Sequence, residues 1–255
     1  MTTAAAVQPT GARRSALDRK VAMQLATTEY ERFVAQLRQL RPEQWSAPTA
    51  CSAWDVHAMS CHVLGMADFF ASMREQMRQM RAAKKAGGLF IDALTGLQVD
   101  KHRHLSPDAV VAQLAEVTPR AARGRRRVPA PMRRMTMKDQ PVDETGAMTE
   151  AWTMGFLVDV IITRDVWMHR SDIAQAVGRE MQLTPDHDGV IVADIVAEWA
   201  ARHGRACTLT LTGPAGGSWS WGGGGPSYEL DAVQFCRILC GRGSGEGLLA
   251  TRVPF

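Results

Sequence analysis

A chain of 255 residues with 45% hydrophobic content is long enough to bury a sizeable core, as one large domain or two smaller ones. Its net charge of +4 falls well short of a dedicated nucleic-acid binder, and five scattered cysteines, an odd number, speak for a reducing compartment rather than a disulfide framework. No apolar leader opens the sequence and no run of about 18 apolar residues is present to span a bilayer, so the expectation is a cytoplasmic protein with neither a membrane nor a nucleic-acid partner.

About 16 N-terminal residues read as mobile. After them, Leu17, Val21, Leu25, Tyr30, Phe33, Val34, Leu37 and Leu40 fall at helical spacing, and Arg41-Pro42 ends that helix because the residue before proline is pushed out of the helical region. Pro48-Thr49 reads as a turn. A second helix starts near Trp54, carries Met59, His62, Met66, Phe69, Met73, Met77 and Met80 on one stripe, and stops by Gly87-Gly88. "SPDAVVAQLAEVTP" is a third helix, capped by Ser106 with Pro107 at its first position. The arginine-rich segment from Arg120 to Arg134 reads as a loop. A fourth helix is expected from Thr149 to Val177, closed by Gly178.

Composition changes near residue 180. One more amphipathic helix follows Pro185 and ends at Gly204, "ACTLTLTG" alternates like a half-buried strand, and "GGSWSWGGGG" reads as a hairpin arm with turns. "ELDAVQFCRILCGR" is a short helix, with a possible last strand near "GLLATRVPF". The fold class is therefore α+β: a four-helix bundle over 17–180 and a small C-terminal α/β domain over 181–255.

The chemistry concentrates in "RDVWMHRSD". Asp165, His169 and Asp172 share one face of the fourth helix, in line with a core stripe, as His62 is in line with the stripe of the second. Facing stripes of a bundle come within side-chain reach. His62, Asp165 and His169 therefore make a three-ligand site for a divalent metal with one coordination position open, and the cation would compensate the buried carboxylate. Asp172, one turn beyond His169, is placed to orient that imidazole. The blander alternative is a pair of hydrogen-bonded core histidines, with Arg164 or Arg170 pairing the aspartates.

"WSAPTACSAWDVHAMSCHVLG" resembles the N-terminal signature of the mycothiol-dependent maleylpyruvate isomerase family of the DinB superfamily, through Trp45, Pro48-Thr49, Cys51, Trp54, Val56 and His62. "TRDVWMHRSDIAQAVGR" is similar to the family's second signature, and the C-terminal segment to its C-terminal domain, down to Gly241-Arg242. The resemblance implies a DinB-like bundle, the ligands His62, Asp165 and His169, zinc as the metal, and mycothiol as thiol cosubstrate. It also implies that the thiolate adds to an electrophilic small molecule, with release giving cis–trans isomerisation and retention giving S-conjugation. The family's acidic ligand is often Glu, and this chain carries the shorter Asp165.

Asp172 and Arg242 are the candidate catalytic residues, Arg242 together with Arg237 as a partner for a substrate carboxylate. The rival readings are a metal-dependent hydrolase or other-thiol transferase of the same fold, and a non-catalytic binding module. Cys61, next to His62 but turned about 100° from it, reads as a core cysteine, and Cys51 as a buried structural one. Cys236 and Cys240 lack further ligands, His102 and His104 look exposed, and the glycine run at 222–225 is a turn.

Overall fold

The computed structural model describes residues 11–143 and 148–255. The chain divides into two compact units that interleave in sequence. One comprises Arg19–Pro129 and Asp165–Met181, the other Met1–Asp18, Ala130–Arg164 and Gln182–Phe255. The sequence suggests a single boundary near residue 180; in the structure, residues 130–164 cluster with the C-terminal part.

The first unit is helical: α1 (Arg19–Leu37), α2 (Val56–Ala71), α3 (Met73–Ala86), α4 (Phe90–His102), α5 (Pro107–Arg127) and the part of α8 (Ile162–Ala176) from Asp165 onward. Its core is one apolar cluster fed by four helices. Tyr30, Phe33, Val34 and Leu37 come from α1, Val56, Met59, Val63, Leu64 and Ala67 from α2, Val110, Leu114, Val117 and Ala121 from α5, and Val166 and Ile173 from α8. This is the expected bundle.

The long second helix is in fact two. Ser72 adopts an extended backbone (φ −143°, ψ 119°) and caps α3 by accepting from the Glu75 N–H at 3.3 Å, so the methionine stripe is broken between Phe69 and Met73. Met73, Met77 and Met80 are consequently exposed, and α3 buries only Gln79 and Ala83. Helix α4 has no counterpart in the sequence reading. Among its buried residues Leu94, Gln98, Val99 and His102, three are spaced by four, but two of the four are polar, which hides the stripe. His102, expected at the surface, is buried 3.2 Å from Asp68.

The arginine-rich segment is not a loop as far as Arg127. Thr118, Ala121, Ala122 and Arg125 form the inward face of the last turns of α5, while Arg120, Arg123, Arg126 and Arg127 face solvent. Pro129 follows and stops the helix. Arg125 is fully buried with its guanidinium 5.9 Å from the centre of the Tyr30 ring, a placement that composition cannot reveal.

The second unit opens with a surprise at the N-terminus. Of the 16 residues read as mobile, the first ten lie outside the described residues. Arg13, however, is held: its N–H donates to Ala151 O at 2.8 Å and its carbonyl accepts from Thr153 N at 2.8 Å. Those partners belong to a hairpin, β1 (Thr136–Pro141) with β2 (Thr149–Thr153), that replaces the expected start of the fourth helix. Trp152 and Phe156 pack together with Val160 and Ile161 there. Short α6 (Ala130–Arg133) precedes the hairpin. After it the chain passes through α7 (Met154–Phe156) and one π-helical segment (Leu157–Ile161) into α8.

The C-terminal part has α9 (Asp188–His203) and a three-stranded sheet in the order β4 (Gly217–Trp221), β3 (Cys207–Thr212), β5 (Ser227–Asp231). β3 runs antiparallel to β4 and parallel to β5, and its residues alternate buried and exposed as the sequence pattern requires. α10 (Ala232–Leu239) is capped by Asp231. Trp199 of α9 is fully buried, edge-on to Phe235 at 5.3 Å, with its indole N–H given to Leu248 O at 2.9 Å. The expected last strand is absent: Gly247–Ala250 form a 3-10 turn and the residues after it carry no regular element. Among the described residues, no helix is long and apolar enough to cross a membrane.

Candidate metal centre

His62 sits midway along α2, whose first turn is fixed by Asp55 accepting from Ala58 N at 2.7 Å. Asp165 and His169 lie one turn apart on α8. The structure brings all three together: one ligand atom from each can be chosen so that all lie within 4.8 Å of one another. His169 Nε2 is 3.2 Å from Asp165 Oδ1, and His62 Nε2 is 3.5 Å from Asp165 Oδ2. Zinc bonds of about 2.0–2.1 Å in a tetrahedron put ligand atoms roughly 3.3–3.4 Å apart, so these separations suit a small divalent cation.

Both imidazoles are buried, at 2% and 4% exposure, while the Asp165 side chain keeps 24% of its surface. Neither nitrogen of His169 has a hydrogen-bond partner of good geometry. A buried imidazole with two such nitrogens, beside a carboxylate, is the donor set that a metal satisfies. Without a metal, protons fill that role. Burial pushes the Asp165 carboxyl up, but the His169 and His62 rings outweigh it and hold the group well below the usual carboxylate range. Burial likewise depresses His169, yet Asp165 and Asp172 overcome it and raise its pKa to about 9.

Around the three candidate ligands stands a shell that the sequence indicates only in part. Asp172, fully buried, has Oδ2 3.6 Å from His169 Nδ1. His62 Nδ1 lies 2.8 Å from Gln98 Oε1, a contact from α4 that no sequence signal announced. Trp54 stacks on His62 with ring centres 4.9 Å apart and planes inclined by 29°, closing one side with an apolar wall. Cys51, read as structural, has its sulfur within 4.8 Å of a His169 nitrogen and an Asp172 oxygen. Cys61 is a core thiol, pushed up to about 12 chiefly by burial, with its sulfur 3.8 Å from His57 Nδ1. Arg242 belongs to the other unit, just past α10, where its guanidinium donates to Cys240 Sγ at 3.3 Å. All five cysteines are unpaired with one another.

No curated protein matches the chain significantly. The chain is similar in structure to a solved mycothiol-dependent maleylpyruvate isomerase, with 17% identity and a TM-score of 0.55 over 89% of this chain and 91% of that one. A histidine-to-alanine mutant of a mycothiol-dependent maleylpyruvate isomerase is similar to the same degree, at 16% identity and TM-score 0.55 over the same shares. At such identities the likeness speaks to the fold. The sequence itself matches a family model described as the mycothiol maleylpyruvate isomerase N-terminal domain across residues 26–174, a span that covers more than half of the chain and contains His62, Asp165 and His169, so the chain belongs to that family.

Proposed function

We propose that this protein is a metal-dependent enzyme that uses mycothiol to isomerise, or to conjugate, an electrophilic small molecule in the cytoplasm. The observation that carries the reading is the convergence of His62, Asp165 and His169 within ligand distance, inside the region that matches the family. Family membership supports the thiol, and the isomerase activity of the similar solved proteins supports isomerisation. Unpaired cysteines fit a reducing compartment.

Zinc held by these residues would supply Lewis acidity, drawing a thiol toward its thiolate at neutral pH. Two neutral imidazoles and one carboxylate leave a divalent ion with about one net positive charge, which favours an anionic sulfur ligand in the open position. Asp165 contributes the only formal negative charge of the ligand set. Asp172, whose Oδ2 lies 3.6 Å from His169 Nδ1, faces that side of the ring and so leaves Nε2 toward the metal site. Trp54 covers His62 and limits water on that side. Arg242 is assigned to bind a carboxylate of the electrophile, as a guanidinium fork can.

The test is metal analysis of purified protein coupled to a mycothiol titration. About one zinc per chain, lost in His62→Ala and His169→Ala, with thiol binding that depends on the metal, is the expected result. Stoichiometric zinc in both variants after dialysis against a chelator would place the metal elsewhere. Metal without thiol binding would point to a water-using enzyme, and neither would leave a binding module.

A further inference from the structure

The ligand His62 is backed by an unusual arrangement: two fully buried glutamines in series. Gln98 Oε1 lies 2.8 Å from His62 Nδ1, Gln98 Nε2 lies 2.9 Å from Gln79 Oε1, and Gln79 Nε2 lies 3.0 Å from both Gly65 O and Glu75 Oε1. Both glutamines are 1% exposed. Gln79 is one of only two residues that α3 buries, so this otherwise solvent-facing helix contributes a polar amide rather than apolar packing.

The direction of every hydrogen bond in this series is forced from its far end. A backbone carbonyl and a carboxylate only accept, so the Gln79 atom facing Gly65 and Glu75 must be its NH2. Its carbonyl oxygen then faces Gln98 and must receive a proton from the Gln98 NH2. The Gln98 oxygen is thereby turned toward His62, where it can only accept. Nδ1 of His62 must carry a proton, and in the neutral ring Nε2, on the Asp165 side, is left with its lone pair.

We infer that Gln98 and Gln79 are positioning residues that fix the tautomer of His62, with the Gly65 carbonyl and the Glu75 carboxylate as the anchor that sets the polarity of the relay. Neither touches the metal or the substrate. The geometry also requires residue 65 to be glycine: a Cβ there would lie 2.5 Å from the Gln98 Cβ, so only a bare backbone lets α2 and α4 approach closely enough. The inference rests on the reading of His62 as a metal ligand, but its first consequence holds in metal-free protein.

That consequence is read by 15N NMR of the His62 ring. Nδ1 carries a proton whether the ring is neutral or cationic, so the metal-free protein shows a protonated Nδ1 at neutral and at mildly alkaline pH. A bare Nδ1 in wild-type protein overturns the relay, whatever the metal does. The second readout is zinc affinity by competition with a chelator. Gln98→Leu should weaken binding by about 10–100-fold, the usual cost of losing the partner of a ligating histidine. Gln79→Met leaves the His62–Gln98 contact intact but frees the Gln98 amide to turn over, so it should also weaken zinc binding, by less than Gln98→Leu. Unchanged affinity in a folded Gln98→Leu, or in Gln79→Met, would refute the positioning role. Wild-type protein that binds no zinc yet shows the protonated Nδ1 would instead refute the metal reading and leave the relay standing.

Discussion

Gly65→Ala sets two helix effects against each other, and the structure decides between them. In a helix interior, alanine is favoured over glycine by about 0.5–1 kcal/mol because glycine loses more backbone freedom on folding. Against that, the new methyl would meet Gln98 Cβ at 2.5 Å, its Cγ at 2.6 Å and its Cα at 3.0 Å. Carbon atoms in contact normally rest about 3.5–4.0 Å apart, so α2 and α4 must separate by roughly an ångström. The third obstacle is an α-carbon, which no rotamer change moves. Such overpacking costs about 1–3 kcal/mol. The clash wins, and the variant should be destabilised by about 1–2 kcal/mol, a fall in Tm of roughly 2–4 °C per kcal/mol for a chain of this size. Urea unfolding followed by circular dichroism measures it: the midpoint drops while the slope is unchanged. Zinc affinity should fall in the same variant, because Gln98 is the residue displaced. A Gly65→Ala protein as stable as the wild type, with unaltered zinc binding, would refute the argument that close helix approach sets this position.

Other expectations follow from the same coordinates. Asp165→Asn should weaken metal binding far more than Asp172→Asn, whose cost should be about 10–100-fold; chelator competition on the two variants gives the order, and the reverse order would exchange the two roles. In the second unit, Glu198 is buried between Arg164, at 2.7 Å, and Arg202, at 2.6 Å. Burial raises its pKa, but the two guanidinium groups outweigh it and the net shift is downward. Its stabilising contribution is therefore complete above the ordinary glutamate value and is lost as pH falls through the depressed one. Glu198→Gln should flatten that acid limb in urea titrations and cost about 1.5–3 kcal/mol at neutral pH, because Asp194 still pairs Arg164 at 2.7 Å and Glu150 still pairs Arg202 at 2.6 Å; an acid limb as steep as wild type would contradict it. Arg242→Gln should lower kcat/KM by about 10–100-fold, the worth of a hydrogen bond to a charged group, without releasing zinc; loss of the metal would show that Arg242 supports the fold instead.

The convergence of His62, Asp165 and His169 is legible because each is a chemically distinctive residue on an apolar stripe of helical period. The bundle was legible for the same reason, its core positions being leucine, valine, phenylalanine and methionine at the expected spacing. What escaped has a common physical cause. Gln98 and Gln79 are amides, with no charge or reactivity to mark them, and their meaning lies in a contact between α3 and α4. Helix α4 was missed because its buried face is half polar. The end of α5 reads as a loop because a count of arginines says nothing of their placement: the buried Arg125 and two alanines form its inner face, and the surrounding arginines are solvated. The β1–β2 hairpin is short, and β2 holds the N-terminal Arg13 through backbone bonds that carry no sequence signature.

The interleaving of the two units bears on how the molecule comes into being. Arg13 must wait for Ala151 and Thr153 before its backbone is paired. The helical unit is complete only when the segment Asp165–Met181 arrives. Closures over such distances along the chain are entropically slow, and a nascent polypeptide lacks its late segments altogether. During synthesis, His62, Gln98 and Gln79 are therefore made long before Asp165 and His169, and the three candidate ligands come together last. On the proposed metal reading, loading would wait for the arrival of α8, and a chain that stalls earlier exposes the apolar stripe of α2 without the helix that covers it.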